Sequence, residues 1–455
     1  MRAAALRISS VAGVDERVAL RLGLLGILAT GAIIGAAVLT RGLLPAAGLA
    51  GALLVIVASI RWPLVLLYAY VFLIPLEELI VLGPFGTVTR IAGLLFLVTY
   101  ALPRIGRLRL TAMPAAAWAY LGWALASIVW ALDPTVAMAE AAVLILLFAI
   151  GTVIAIVVVD RPSVVGPLLW TYSVSATIIA LYGLLLFLMG QTVDGNRIAA
   201  LPGQDPAYYS ALLLPAFAFS LDRLVRGRTI VPSAIVALIC LTGIVVSGTR
   251  GAWVSAAVVV LVFMLPRIST PKRLITITGL LVALMVSLQI PAVSDLLTQR
   301  TEIAVSSGGA GRTDIWTVGI GIIQEAPIVG VGLANFPTAY TAELVRDSDV
   351  GVYSANNPAH RAPHSIIIGT IGELGVIGFA FLCLLILPLL FRPGWGVDGV
   401  AVQAALASLV MSALFLDIIN RKQFWLIVGI ACGLAYVARS ERLHAMLRPA
   451  TRVAS

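Results

Sequence analysis

The sequence predicts an all-α polytopic membrane protein with about 12–14 transmembrane helices, on three observations. Hydrophobic residues make up 61% of the chain and charged residues 11%, and the mean hydropathy is +1.06, which is typical of integral membrane proteins. Apolar stretches of about 16 to 25 residues recur along nearly the whole chain, and a helix of about 20 residues crosses a bilayer. The alternating segments of about ten residues that indicate a transmembrane barrel do not recur.

Fourteen spans are predicted, most of them joined by short connections typical of a compact helical bundle. They lie near 21–39, 43–60, 63–81, 88–103, 114–131, 137–159, 166–189, 207–221, 229–246, 252–265, 274–290, 364–391, 399–416 and 423–438. The span most easily lost is 207–221, because it is short and follows the polar turn Gly-Gln-Asp-Pro.

The distribution of basic residues predicts the orientation of the chain. With both termini in the cytoplasm, the inner segments hold two thirds of the 30 Lys and Arg residues. Such a bias in short loops is the positive-inside signature of an inner (plasma) membrane protein. The net charge of +9 is thereby explained by topology, so it does not indicate nucleic-acid binding.

We expect one membrane domain over 1–455, with a large external loop at 291–363. The stretch RTDIWTVGIGIIQE (312–325) places Ile315, Trp316, Ile320, Ile322 and Ile323 at roughly helical spacing, which predicts an amphipathic helix near the membrane surface. A long loop with such a helix is expected to cap a functional site.

The three cysteines indicate neither a disulfide framework nor a metal site. Cys240, Cys383 and Cys432 all fall within predicted spans, where they read as small apolar packing residues. His360 and His364 have an H-x-x-x-H spacing, but nearby prolines disfavour a regular helix through both, and no third ligand stands nearby. We therefore expect no metal and no cofactor.

Two arginines on the outer side are candidate anion ligands. Arg250, in VSGTRGAW, lies at the outer junction of two predicted spans, where it either anchors a helix end or faces a ligand. Arg312 opens the amphipathic helix, where free N–H groups and the helix dipole already favour an anion. A guanidinium there suits a phosphate; the alternative is a solvated arginine on the polar face.

His364 begins the predicted span 364–391 at the level where lipid headgroups start. Because histidine titrates near neutral pH, the neutral ring can accept a proton from a hydroxyl. The alternative is a histidine that merely caps the helix.

The helix after His364 carries a repeat of small residues. Gly369, Gly372, Gly375 and Gly378 recur every third residue, which favours close packing in the bundle rather than exposure to lipid. Glu373 lies roughly half a turn away from His364 in an unbroken helix. It is therefore expected to face another part of the bundle, or to lie where the glycines open the helix.

Together these motifs resemble the O-antigen ligase and O-antigen polymerase superfamily. The resemblance covers about 197–378 and rests on the order and spacing of the motifs, with Ser365 where the family often has Asn. The matching residues are Arg312, Trp316, Pro327, Gly330, Gly332, Phe336, His364, Glu373, Gly375 and Gly378, with SGTRGA around Arg250 upstream.

The resemblance implies a membrane glycosyltransferase that takes a glycan from undecaprenyl diphosphate on the outer face of the inner membrane. His364 would be the catalytic base, and Arg250 and Arg312 would hold the diphosphate, with Arg197 as a further ligand. Glu373 and Trp316 would support the site. The arginines would neutralise the diphosphate without a metal.

The resemblance leaves several acceptors open. A ligase would transfer to a lipid A core or another terminal acceptor, a polymerase to a second carrier-linked glycan, and a protein O-oligosaccharyltransferase to a protein. We favour the ligase. A small-anion transporter is the alternative of another class, but the predicted spans lack the midplane charges that transporters use.

Overall fold

In this computed structural model, the structure describes 62–79, 87–193, 197–200, 204–264, 312–346, 361–391 and 398–447, with single positions 278, 298 and 396. The spans predicted near 21–39, 43–60 and 274–290 lie outside these ranges, as does much of the predicted external loop.

The described ranges are helical and contain no β-strand, which confirms an all-α membrane protein. Five segments are long and apolar enough to cross a membrane: Val88–Arg107, Pro134–Asp160, Pro162–Leu188, Ile366–Phe391 and Lys422–His444. The helices are α1 Pro63–Leu73, α2 Val88–Ala101, α3 Ala115–Ala126, α4 Pro134–Asp160, α5 Val165–Leu188, α6 Pro206–Val225, α7 Ile230–Val246, α8 Arg250–Met264, α9 Arg312–Glu325, α10 Phe336–Arg346, α11 Ile366–Phe391, α12 Gly399–Ala413 and α13 Lys422–Leu447.

Local chemistry explains where two helices depart from their predicted bounds. The span predicted at 63–81 is interrupted, because α1 ends at Leu73 just before Pro75, which has no backbone N–H to continue the helix. Helix α4 starts earlier than predicted, at Pro134. The Asp133 side chain accepts hydrogen bonds from the first free amides, and proline suits the first helical position.

Connections between helices meet at one end of the bundle, which we call the site end. Glu77, after α1, pairs with Lys422 at the start of α13. Arg197, after α5, donates to the turn between α7 and α8. The backbone amide of Asp133 donates to Asn335 before α10 (2.6 Å). The candidate residues of the sequence analysis lie at this end.

Helix α11 is broken at Gly375, where φ is 67° and ψ is −176°. The loop 327–332 pairs with the backbone at this break: Val331 N–H donates to Gly372 O (2.9 Å) and Val376 N–H to Pro327 O (2.9 Å). Trp123 of α3 donates to the Leu374 carbonyl (2.8 Å). The carbonyls and amides that the break releases are thereby satisfied.

The glycine repeat lies on the buried face of α11, as predicted. Gly372 approaches Phe336 of α10 and Gly378 approaches Trp123 of α3, whereas Gly375 receives the loop backbone at Ile328. The opposite face of α11 is exposed, with Val376 at 54% and Leu384 at 60%. Close packing of α11 is thus confined to the face that carries the glycines.

We predict that Gly375→Ala destabilises the protein strongly, whereas Gly122→Ala does not. A Cβ at Gly375 would overlap the Ile328 carbonyl, and the positive φ strains any other residue. We expect a loss of about 2–4 kcal/mol. Gly122, in α3, has no atom within 4 Å of an added Cβ, so alanine should be neutral or stabilise by up to about 1 kcal/mol. Thermal unfolding in detergent measures both, and equal melting temperatures would contradict the prediction.

Candidate functional site

His364 lies in a bend immediately before α11, which begins two residues later than predicted. Its φ of 47° is in the left-handed region, which few non-glycine residues adopt. Pro363 packs against Gly369 in the first turn of α11, and the Ser365 carbonyl accepts from the Gly369 amide (2.8 Å). Strained backbone of this kind is concentrated at functional sites.

The environment of His364 favours the neutral imidazole. Burial lowers the pKa of His364, and the positive charge of Arg312 lowers it further, whereas Asp205 raises it. A neutral ring keeps one nitrogen lone pair that can accept a proton. The ring is therefore in the form that a general base requires.

Arg250 is the first residue of α8 and follows the turn Ser247–Thr249. Arg197 stabilises this turn: its Nε donates to the Ser247 carbonyl (3.2 Å) and its Nη2 to the Thr249 hydroxyl (3.1 Å). Part of the Arg197 guanidinium is thus engaged within the protein, and it positions Arg250. The position and charge of Arg197 predict an anion ligand but not these contacts with Ser247 and Thr249.

Arg312 is the first residue of α9, so 312–325 forms the predicted helix. Its Cζ lies 5.9 Å from the centre of the Phe415 ring, in the turn before α13. The buried face of α9 is formed by Ile315, Val318 and Ile322, whereas Ile320, which was predicted to share the apolar face, is 49% exposed.

Arg312 lies close to the two other arginines of the site, Arg250 and Arg197. Burial lowers the pKa of Arg312, and the charges of Arg250 and Arg197 lower it further, whereas Asp205 raises it. Arginine stays protonated despite such shifts. Arg312 thus has two further guanidinium groups nearby and the neutral His364 imidazole next to it, and this partly buried, positive surface suits a multiply charged anion.

Asp205 is the residue that the sequence analysis missed at this site. Its Oδ1 accepts from the Ala207 amide (2.8 Å) and so caps α6, and its charge acts on both Arg312 and His364. Asp before Pro at a helix start is a recognised capping signal, which would have placed this carboxylate at the site end.

Glu373 contacts the loop before α10 rather than His364. Its carboxylate accepts hydrogen bonds from the amides of Ala334 (3.0 Å) and Phe336 (3.4 Å). Trp316 packs against the cluster that joins α9 and α10, and its buried Nε1 has no hydrogen-bond partner in the described ranges. Both residues support the elements around the site.

Among the described residues, no group of three or more His, Cys, Asp or Glu side chains is arranged to hold a metal ion. His360, which the H-x-x-x-H spacing paired with His364, lies outside the described ranges.

No curated protein matches the chain. Residues 235–383 match the model of the O-antigen ligase family. The matched segment contains Arg250, Arg312 and His364, whereas Arg197 and Asp205 precede it. The match therefore confirms the predicted similarity to the O-antigen ligase and polymerase superfamily over this third of the chain.

Proposed function

We propose that the protein is a metal-independent glycosyltransferase that moves a glycan from undecaprenyl diphosphate to an acceptor hydroxyl on the outer face of the inner membrane, as an O-antigen or polysaccharide ligase. The observation that carries this proposal is the position of Arg312, which lies close both to Arg250 and to a neutral His364 at one end of a membrane bundle.

The proposed reaction divides the work between these groups. His364 accepts the proton of the acceptor hydroxyl while that oxygen forms a bond to the anomeric carbon of the donor. The bond from that carbon to the phosphate oxygen breaks, and its electron pair leaves on the diphosphate. Arg250 and Arg312 stabilise the added negative charge of the leaving group. Protonated His364 then releases its proton to solvent.

The location supports a carrier embedded in the bilayer. His364 and Arg312 lie outside the five candidate spans, with His364 two residues before Ile366–Phe391, and the exposed apolar faces of the bundle suit contact with lipid chains. A diphosphate attached to a polyprenyl chain would then meet the arginines without leaving the membrane.

The test is transfer by the purified protein in liposomes, with an undecaprenyl diphosphate glycan and with EDTA present. One glycan added to a lipid A core supports the ligase. Serial addition to a second carrier-linked glycan would instead identify a polymerase, and addition to protein an O-oligosaccharyltransferase. Bicarbonate flux without transfer would contradict the proposal and favour a transporter.

We predict that the pH dependence of kcat/KM reports His364. Because the pKa of His364 lies below its ordinary 6.5, the neutral base predominates at pH 7 and is lost as the pH falls through the lowered pKa. The acidic limb of the profile should therefore have its midpoint below pH 6.5. A midpoint above pH 6.5 would contradict the assignment of His364 as the base.

A further inference from the structure

A small polar pocket at the site end is lined by Ser365, the residue that follows His364. It opens between α3, α4, α11 and the turn 414–421, and encloses about 410 Å³ when its open mouth is included. Its polar lining comes from Tyr120, Ser365, Thr370, Glu373, Asp417 and Asn420. The inner space is of the size of a water molecule, so it admits hydroxyl-sized groups rather than a whole ring.

Thr370 has a hydroxyl without a hydrogen-bond partner among the described residues. The side chain is 4% exposed, and its Oγ1 has no hydrogen-bond partner in the described ranges. Other threonines in these helices donate to a carbonyl one turn earlier, as Thr152 does to Phe148 (2.8 Å) and Thr177 to Ser173 (2.7 Å). A buried hydroxyl without a partner costs free energy, so its presence in the pocket wall points to a ligand.

The two carboxylates of the pocket are held in place by the chain. Glu373 accepts backbone hydrogen bonds from Ala334 and Phe336, and the backbone amide of Ile419 bonds to Asp417. Each carboxylate has about four acceptor positions, so unused lone pairs remain for donors in the pocket. Hydroxyl groups donate to carboxylates and also accept from a threonine hydroxyl or an asparagine amide.

One turn links this pocket to the arginines. In the segment 414–421, Phe415 lies beside Arg312 and beside Gly251, next to Arg250, while Asp417 lines the pocket. His364 likewise connects the two regions, because Arg312 acts on its ring and its neighbour Ser365 lines the pocket. A cationic surface and an acidic pocket thus adjoin one histidine.

We propose that this pocket binds hydroxyl groups of the sugar ring that reacts beside His364. The inference rests on the proposed function, because the diphosphate at the arginines fixes which substrate reaches the pocket. Carboxyl groups offer no positive charge to a phosphate but accept hydrogen bonds from hydroxyls, so the chemistry of the lining separates the two subsites. The sugar belongs either to the donor glycan or to the acceptor, and the two sources present the same chemistry.

Thr370→Val is the sharpest test, with Thr152→Val as its matched control. Both changes replace a buried helical hydroxyl by a methyl group, but the Thr152 hydroxyl is bonded within its own helix. We expect Thr370→Val to weaken sugar binding about fivefold to a hundredfold, the range for one lost hydrogen bond, with an unchanged or higher melting temperature. Thr152→Val should leave sugar binding unchanged. Asp417→Asn provides a second variant, with Asp160→Asn at the opposite end of α4 as its control.

Three probes in nanodiscs distinguish the sources: undecaprenyl diphosphate, undecaprenyl diphosphate N-acetylglucosamine, and lipid A core. Selective loss of affinity for the sugar-bearing carrier places the donor sugar in the pocket, and selective loss for lipid A core places the acceptor there. Equal affinity of Thr370→Val and the wild type for both sugar probes would overturn the proposal. Because these are binding measurements, they remain informative if no transfer occurs, whereas failure of the wild type to bind the diphosphate carrier would count against the proposed function itself.

Discussion

His364→Ala should abolish glycan transfer while leaving the protein folded. Removal of a general base typically costs about a hundredfold to ten-thousandfold in rate, and the described ranges offer no second imidazole at the site end. The third histidine, His444, lies at the far end of α13 and is exposed, with its Nδ1 2.8 Å from the Ser440 carbonyl. His444→Ala is therefore the matched control, with transfer expected at the wild-type rate.

The measurement is initial rates of transfer in liposomes, with melting temperature as the folding check. Replacing His364 by alanine should leave stability nearly unchanged, since alanine also carries a Cβ and meets the same left-handed backbone conformation. Affinity for undecaprenyl diphosphate should persist, because the arginines remain. Transfer by His364→Ala at more than a tenth of the wild-type rate would reject the base assignment, whereas loss of carrier binding as well would indicate a role in binding.

The helices were predictable because their signals are local. Apolar runs long enough to cross a bilayer predict most of the described helices. Asp133 followed by Pro134 accounts for the early start of α4. The grouping of Arg250, Arg312 and His364 followed from topology, since alternate connections of a helical bundle lie at the same end.

The break in α11 at Gly375 and its pairing with the loop 327–332 could not be predicted from local signals. Its contacts join residues far apart in sequence, such as Trp123 with Leu374 and Ala334 with Glu373, and apolar periodicity carries no information about such pairs. A glycine repeat also reads equally as a helix-packing face or as a place where a loop enters the helix. At Gly375 the left-handed φ shows that a loop enters the helix, and this φ is a property of the backbone that composition does not reveal.

The role of Arg197 shows the same limit. Its predicted outer position and its charge fit an anion ligand. Its hydrogen bonds to Ser247 and Thr249, however, stabilise the turn before Arg250. Charge and side of the membrane predicted the location of the residue, whereas its hydrogen bonds depend on the path of two separate loops. On this basis Arg197 acts on the proposed diphosphate at least partly through the position of Arg250.

Arg312→Lys should impair transfer by about tenfold to a hundredfold although the positive charge is retained. Guanidinium offers a planar pair of donors that matches two phosphate oxygens, whereas the lysine ammonium is a compact point charge. The Arg312 guanidinium also lies near the Phe415 ring, with its Cζ 5.9 Å from the ring centre. Loss of this geometry should reduce stabilisation of the leaving diphosphate, so kcat should fall more than donor affinity.

Arg104→Lys is the control for this substitution. Arg104 lies after α2, at the end of the bundle opposite the site, where its Cζ is 4.5 Å from the centre of the Tyr100 ring and its Nη1 donates to the Tyr100 carbonyl (2.9 Å). It reproduces the contact of a guanidinium with an aromatic ring without the proposed diphosphate. If transfer by Arg312→Lys equals that of Arg104→Lys, Arg312 acts as a general positive charge and the paired contact with phosphate is excluded. If only Arg312→Lys is impaired, with the acidic limb of the pH profile unchanged because the charge beside His364 persists, the loss is due to the geometry of the guanidinium.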